Sequence, residues 1–270
     1  MAPWWRLSPR QLDQVWESLE LTGYPFPFEV RNHGETLEER LAIRTQVAAE
    51  LSTMGLLRDG QLDPGLEDAL RAIARPMLWF DSVWLPDNET ESPFRLISVP
   101  QQHGTLLALQ FPGEAAHYGG PLHIEHLPRV DPVRALIERL PAGRPGDRPA
   151  VAVPVEPALA RSSRTSADFS VLSEIHTTDH ASRDRRAFDE LMSLPRTRGG
   201  QIAANTRDRA GRHHRSPVVR WFDVDPDQRY MITTRTELHG VEWVSVAPAD
   251  PNALHSHIDG LLRSVPGQGN

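Results

Sequence analysis

The sequence of 270 residues contains no cysteine and no lysine, and all 29 of its basic residues are arginine. Without cysteine there is no thiol nucleophile, no disulfide, no iron–sulfur cluster and no thiolate-ligated zinc. Without lysine there is no phosphate-binding loop lysine, no kinase strand lysine and no Schiff base. No Gly-x-Ser-x-Gly elbow and no Gly-x-Gly-x-x-Gly fingerprint occurs, which removes the usual signatures of the α/β-hydrolases and of dinucleotide binding. Long apolar runs are also missing. The best, Leu106 to Phe111, is far short of the roughly 18 residues that a membrane helix needs. Met1 to Arg10 lacks the apolar stretch of a secretory leader, so the sequence reads as that of a soluble cytoplasmic protein.

What is present is ordinary for a globular chain. The formal charge is −7, which gives no overall attraction to nucleic acid or membrane. The 18 glycines and 24 prolines are dispersed between patterned segments, so they punctuate many short elements. Ser8-Pro9 opens a helix carrying Leu12, Val15, Trp16 and Leu19. Thr36 and Glu39 form a capping box for a second helix that stops at Gly55. Asp63-Pro64 starts a third. Between them, Pro27 to Arg31 has the composition of one short strand.

The period then changes to two. Met77–Leu85, Phe94–Val99, Thr105–Phe111 and Leu122–Leu127 read as four strands, followed by a helix opened by Asp131-Pro132. After a linker at Pro141 to Pro149 the order recurs. Val151–Val155 is a strand and Phe169–Leu194 a helix. Strands follow at Gly200–Asn205, Pro217–Asp223, Tyr230–Leu238 and Val241–Ala247, with turns at Asp225 to Gln228 and His239-Gly240. Asp250-Pro251 opens a last helix, and Pro266 to Asn270 is a tail. Runs of strands followed by helices predict an α+β fold, with two related halves, about 8–141 and 150–265, sharing one antiparallel sheet.

Four regions carry candidate chemistry. In His176-Thr177-Thr178-Asp179-His180, two histidines at i and i+4 share a helical face, the spacing of a zinc-dependent hydrolase; Asp179 is one methylene shorter than the glutamate that such a motif uses as general base. Other histidines diverge, since His123 and His126 fall on opposite faces of a strand and His255 and His257 on different sides of a helix. The stretch Arg196–Arg220 holds seven arginines and one acid, Asp208; it reads either as a nucleic-acid surface or as a solvated hairpin with Gly211 at its tip. Carboxylate pairs such as Glu38-Glu39 lie among arginines and read as solvated surface. Asp87-Asn88-Glu89-Thr90-Glu91-Ser92-Pro93 is an acidic loop between strands ending at Trp84 and beginning at Phe94. Carboxylates to steer a partner, beside exposed aromatics to bind it, suit a protein-binding edge.

The tail strand Trp243-Val244-Ser245-Val246-Ala247-Pro248-Ala249-Asp250-Pro251 resembles the C-terminal signature of the EspG family, proteins associated with type VII (ESX) secretion in actinobacteria. Arg198-Gly199-Gly200-Gln201-Ile202-Ala203 resembles that family's glycine-led strand. Val219-Arg220-Trp221-Phe222-Asp223 with Arg229-Tyr230 resembles its hairpin. Gly55-Leu56-Leu57, Leu62-Asp63-Pro64 and Leu70 to Pro76 follow the order of its helix–helix segment. The resemblance implies a cytosolic chaperone and not an enzyme, with no cofactor. Its partner would be a helical PE/PPE-like secretion substrate whose apolar tip it shields; homodimerisation is left open. It also implies a central antiparallel sheet with two helical bundles. The binding loop maps onto Asp87 to Pro93, which selects Trp84, Asp87, Asn88, Glu89, Glu91 and Phe94 as contact residues. Neither Trp-x-Gly nor Tyr-x-x-x-Asp/Glu, the marks of cargo in this pathway, is present.

Overall fold

The computed structural model describes residues 3–115, 117–155, 183–236 and 241–265. The helices begin where the caps predict. At α1 (Pro9–Ser18) the Ser8 hydroxyl accepts from the Gln11 amide, and the Gln11 side chain accepts from the Ser8 amide. Thr36 and Glu39 make the same reciprocal pair at α2 (Leu37–Thr53). Two donors that the helix itself cannot satisfy are thereby paired at each start. Asp63 caps α3 (Pro64–Ala74) and Asp131 caps α4 (Pro132–Ile137). After α5 (Arg183–Met192), Asp250 caps α6 (Pro251–Leu261). Proline fits the first helical position because the N–H it lacks would have no partner there.

Fourteen strands are described. They are β1 (Trp4–Leu7), β2 (Leu57–Arg58), β3 (Gln61–Leu62), β4 (Leu78–Leu85), β5 (Phe94–Gln101), β6 (Gly104–Pro112), β7 (Gly119–Pro128), β8 (Arg144–Pro145), β9 (Val151–Val155), β10 (Arg196–Arg207), β11 (His213–Arg215), β12 (Val219–Val224), β13 (Gln228–Thr236) and β14 (Glu242–Pro248). One large sheet runs β1-β7-β6-β5-β4-β10-β12-β13-β14-β9, with β11 beside β10 and β8 beside β13. Its pairings are antiparallel except β8 with β13. β2 and β3 form a separate hairpin. Strands more than 100 residues apart in the chain meet at β4 and β10, in a ladder from Gly199 opposite Leu85 to Thr206 opposite Leu78.

Alternation along β4 divides the core. Trp79 packs with Ile97, Ala108 and Ile124 under α1, α2 and α3. Phe80 and Trp84 join Leu96, Ile202 and Trp221 in a second core with α4 and α6. Neighbouring strand residues point to opposite faces, so these cores lie on opposite sides of the sheet. A third core sets Phe188 and Leu191 of α5 against Val153, Phe222, Tyr230 and Val246.

Several expectations need correction. Pro27 to Arg31 forms no strand. Prolines at 25 and 27 remove ladder donors, and Gln110 from β6 takes the place of a neighbouring strand. Its Oε1 accepts from the Glu29 amide at 3.1 Å and its Nε2 donates to the Glu29 carbonyl at 3.0 Å. The segment read as a linker is fastened to the sheet. Arg229 donates to the Pro141 carbonyl at 2.7 Å, the Gly146 amide donates to the Arg229 carbonyl at 3.0 Å, and the Arg148 amide donates to the Tyr230 hydroxyl at 3.2 Å. The expected helix from Phe169 is described only as α5, and the His239-Gly240 turn and the tail from Pro266 lie outside the described residues.

Candidate protein-binding site

The connection between β4 and β5 is a built loop. Asp87 accepts from the Glu89 amide at 2.9 Å and the Thr90 amide at 2.6 Å through one carboxylate oxygen. This is an Asx-type turn, in which a short acidic side chain replaces a backbone acceptor. Hydrogen bonds from Thr90 and then Glu89 favour the ionised form, so the Asp87 carboxyl titrates below its ordinary value. The Asn88 side-chain amide donates to the Arg196 carbonyl at the start of β10. The Ser92 hydroxyl accepts from the Gly113 amide at 2.9 Å, which fastens the other end of the loop to the residue that follows β6. Between these anchors Asp87, Asn88, Glu89 and Glu91 are exposed.

Trp84 and Phe94 stand at the base of this loop, opposite one another in the ladder, with ring centroids 5.1 Å apart. The exposure expected of Trp84 is corrected: only 2% of it is accessible, because it shares a strand face with Phe80 and enters the core beneath α4 and α6. Phe94 is half-buried. Two residues that the sequence did not assign to this site, Phe111 and His123, continue the row. Phe94 meets Phe111 edge-on at 5.4 Å, and Phe111 meets His123 at 4.6 Å. Burial, with the Arg6 charge nearby, pushes the His123 imidazole below its ordinary value. The alternation of β6 placed Phe111 on a face but gave no reason to join it to Phe94, because that contact depends on strand register.

The other candidates fare differently. His176, Asp179 and His180 lie outside the described residues. Among the described residues no group of three or more His, Cys, Asp or Glu is placed to hold a metal ion. His213 bonds Asn205 at 2.8 Å and stacks on Trp79, His214 faces Asp208 at 3.3 Å, and His255 faces Asp131 at 3.0 Å.

Within Arg196–Arg220 the chain makes a β10–β11 hairpin, with Gly211 in the turn at φ +81°. Several of its guanidiniums have internal partners. Arg198 pairs with Asp223 at 2.6 Å, Arg212 with Asp208 at 2.7 Å, and Arg215 with the fully buried Asp81 at 2.7 Å. Arg196 lies over the Phe222 ring at 4.9 Å. Trp221 and Phe222, the nearest aromatics, are buried.

The ESX-1_EspG family model, described as the EspG family, matches residues 8–260. The chain belongs to the EspG family. That span contains both the acidic loop and the arginine-rich hairpin, so both are parts of the EspG fold. A chain in the solved structure of the Mycobacterium tuberculosis type VII secretion system chaperone EspG5, in complex with the PE25-PPE41 dimer, is similar at 14% identity. The alignment covers 99% of this EspG chain and 98% of that one, with a TM-score of 0.66. The crystal structure of HtdX from Mycobacterium tuberculosis aligns over 90% of this chain and 96% of that one, at 9% identity and a TM-score of 0.15, too low to bear on the fold. No curated protein matches the chain.

Proposed function

We propose that this EspG-family chain is a client-binding chaperone of a type VII secretion system. It holds a PE/PPE-like helical substrate soluble by covering an apolar tip, and the role calls for no cofactor. Membership of the family across residues 8–260 carries this reading. Support comes from the similar fold of EspG5, solved with a PE–PPE dimer. Shielding an apolar patch prevents the client from associating through it.

The contact surface proposed is the acidic loop with its aromatic base: Trp84, Asp87, Asn88, Glu89, Glu91 and Phe94. Its backbone is already held by side-chain and backbone hydrogen bonds, which lowers the ordering cost of binding. Its exposed carboxylates suit steering, and the half-buried Phe94 supplies contact area. Trp84 then acts from below by positioning Phe94.

We read the chain as two pseudo-symmetric lobes of one domain, about 8–141 and 150–265. Strand order supports this reading. Each lobe has a four-strand meander, β4 to β7 or β10, β12, β13 and β14, and each sets an earlier strand, β1 or β9, outside its last. The cytoplasm is the compartment such a role needs, and among the described residues no helix is long and apolar enough to cross a membrane.

Co-expression with a PE/PPE-like pair encoded nearby tests the function. A soluble complex is expected, and a client that aggregates equally with and without the chain would reject the chaperone reading. Deleting residues 87–93 should weaken the complex; unchanged affinity would reject the binding loop alone.

A further inference from the structure

The β10–β11 hairpin is a second surface that the client loop does not use. From Arg207 to Arg215 it holds four arginines and one acid, Asp208, in a chain whose formal charge is −7. It stands at the other end of β4 from that loop. Thr206 pairs with Leu78 just before the hairpin, whereas Leu85 leads into residues 87–93, so roughly 23 Å of strand separates the two at about 3.3 Å per residue. The tip is held from within. Asp208 accepts from the Ala210 amide at 2.9 Å, the Arg212 amide at 2.8 Å and the Arg212 side chain at 2.7 Å. Arg207 donates to the Gly211 carbonyl at 3.1 Å and lies over Trp79, on which His213 also stacks. At the root, Arg215 pairs with the buried Asp81 and lies 4.8 Å from the Phe26 ring. The hairpin's one acid is thus engaged by its own turn.

The side of the hairpin that meets solvent is cationic and apolar. Arg75 and Arg209 are exposed and Arg207 is half-buried, and none of the three has a carboxylate within ion-pair distance among the described residues. Met77 is 58% and Phe26 47% accessible. These groups share one surface. The Met77 carbonyl accepts from the Arg207 amide at 2.8 Å. Arg75, two positions before Met77, reaches the Thr22 hydroxyl at 3.5 Å, on the segment that carries Phe26.

We propose that this surface docks an acidic segment of a partner protein, with carboxylates paired to Arg75, Arg207 and Arg209 and an apolar side chain set against Met77 and Phe26. Charge complementarity carries the choice. Guanidiniums take carboxylates through two parallel hydrogen bonds, and an apolar centre rimmed by charge is the anatomy of a protein interface. Nucleic acid fits less well. Single strands are held by stacking on exposed rings, whereas Trp79 is 3% accessible and Phe26 is already faced by Arg215. Because the two surfaces lie at opposite ends of β4, this partner can be held while a client occupies the loop at 87–93. The inference stands whether or not that loop binds a client.

The test uses the full chain and a short labelled peptide with glutamates on both sides of a phenylalanine. Anisotropy should show binding that a matching peptide with glutamine in place of glutamate lacks. Arg75→Glu and Arg209→Glu should each weaken it by at least about tenfold, and Met77→Ser should weaken it as well. All three side chains are exposed, so these variants should keep the wild-type circular dichroism and melting temperature. Deletion of 87–93 should leave peptide binding intact. Absence of peptide binding, equal binding of the glutamate and glutamine peptides, or unchanged affinity in both arginine variants overturns the proposal. A labelled single-stranded oligonucleotide that binds more tightly than the peptide through the same arginines would assign the surface to nucleic acid and overturn it. Self-association of the wild type in sedimentation that deletion of 87–93 removes would assign it to the acidic loop of another copy and overturn it as well.

Discussion

Trp84 and Phe94 face each other across β4 and β5 with their ring planes 8° from parallel and their centroids 5.1 Å apart. The buried ring anchors the half-exposed one, which ties the stability of the sheet to the shape of the loop above it. Trp84→Ala should therefore cost about 3–5 kcal/mol, the range for emptying a large aromatic site in a core. Phe94→Ala should cost less, because part of its ring is already in water, yet should weaken client binding more than Trp84→Phe does. Urea unfolding and a binding isotherm measure the two effects separately. Equal loss of affinity in Phe94→Ala and Trp84→Phe would argue against Phe94 as the contact residue.

Asp87 should matter to the loop and not to the fold. Its carboxylate holds the Glu89 and Thr90 amides, so Asp87→Ala should speed hydrogen exchange at those two positions and leave the urea midpoint unchanged. The pH dependence has a definite sign. A carboxyl whose folded pKa is depressed contributes order above its unfolded value of 3.8 and loses it as pH falls through the folded value. The Thr90 amide resonance should move along that lower titration, and one that follows an ordinary aspartate curve would dismiss the Asx turn.

Asp223 is fully buried between two guanidiniums, bonded to Arg198 at 2.6 Å and to Arg229 at 2.7 and 2.8 Å. Those arginines also reach the Ala142 and Pro141 carbonyls, so one carboxylate orders the segment that follows α4. Asp223→Ala should destabilise by about 3–5 kcal/mol, because it leaves the nearly buried Arg229 uncompensated. Chemical denaturation measures the loss, and protease cleavage between residues 141 and 149 should accelerate with it.

Gly200 lies in the ladder that joins β4 to β10, opposite Trp84. A Cβ there would stand 2.6 Å from Trp84 Cβ, 2.7 Å from the Val83 carbonyl oxygen and 2.8 Å from Trp221 Nε1. None of these can swing aside as a flexible side-chain tip would. Gly200→Ala should cost about 1–3 kcal/mol, the usual range for overpacking. A melting temperature equal to that of the wild type would show that β4 and β10 separate more easily than their ladder suggests.

Much of the fold is legible in the sequence. The helix starts at Ser8, Thr36, Asp63, Asp131 and Asp250 were readable because a cap and its partner amide lie within three residues. Strand alternation from Met77 onward gave the antiparallel segments to within a few residues. β1 was missed because four residues give too little pattern, and β2 and β3 because two give none. The candidate loop was placed correctly between β4 and β5, but the burial of Trp84 and the row through Phe111 to His123 were not foreseen.

The sequence by itself determined most of the longer helices and strands, where those helices start, and which chemistries the missing cysteine and lysine exclude. These depend on residue type and on spacings of two to four residues. Only the tertiary structure decided that β4 pairs with β10, that Gln110 stands in for a strand beside Glu29, and that Arg215 neutralises Asp81, residues 134 positions apart in the chain. Such pairings follow from how sheet faces and their cores come together, and no local period encodes which distant carboxylate an arginine will meet.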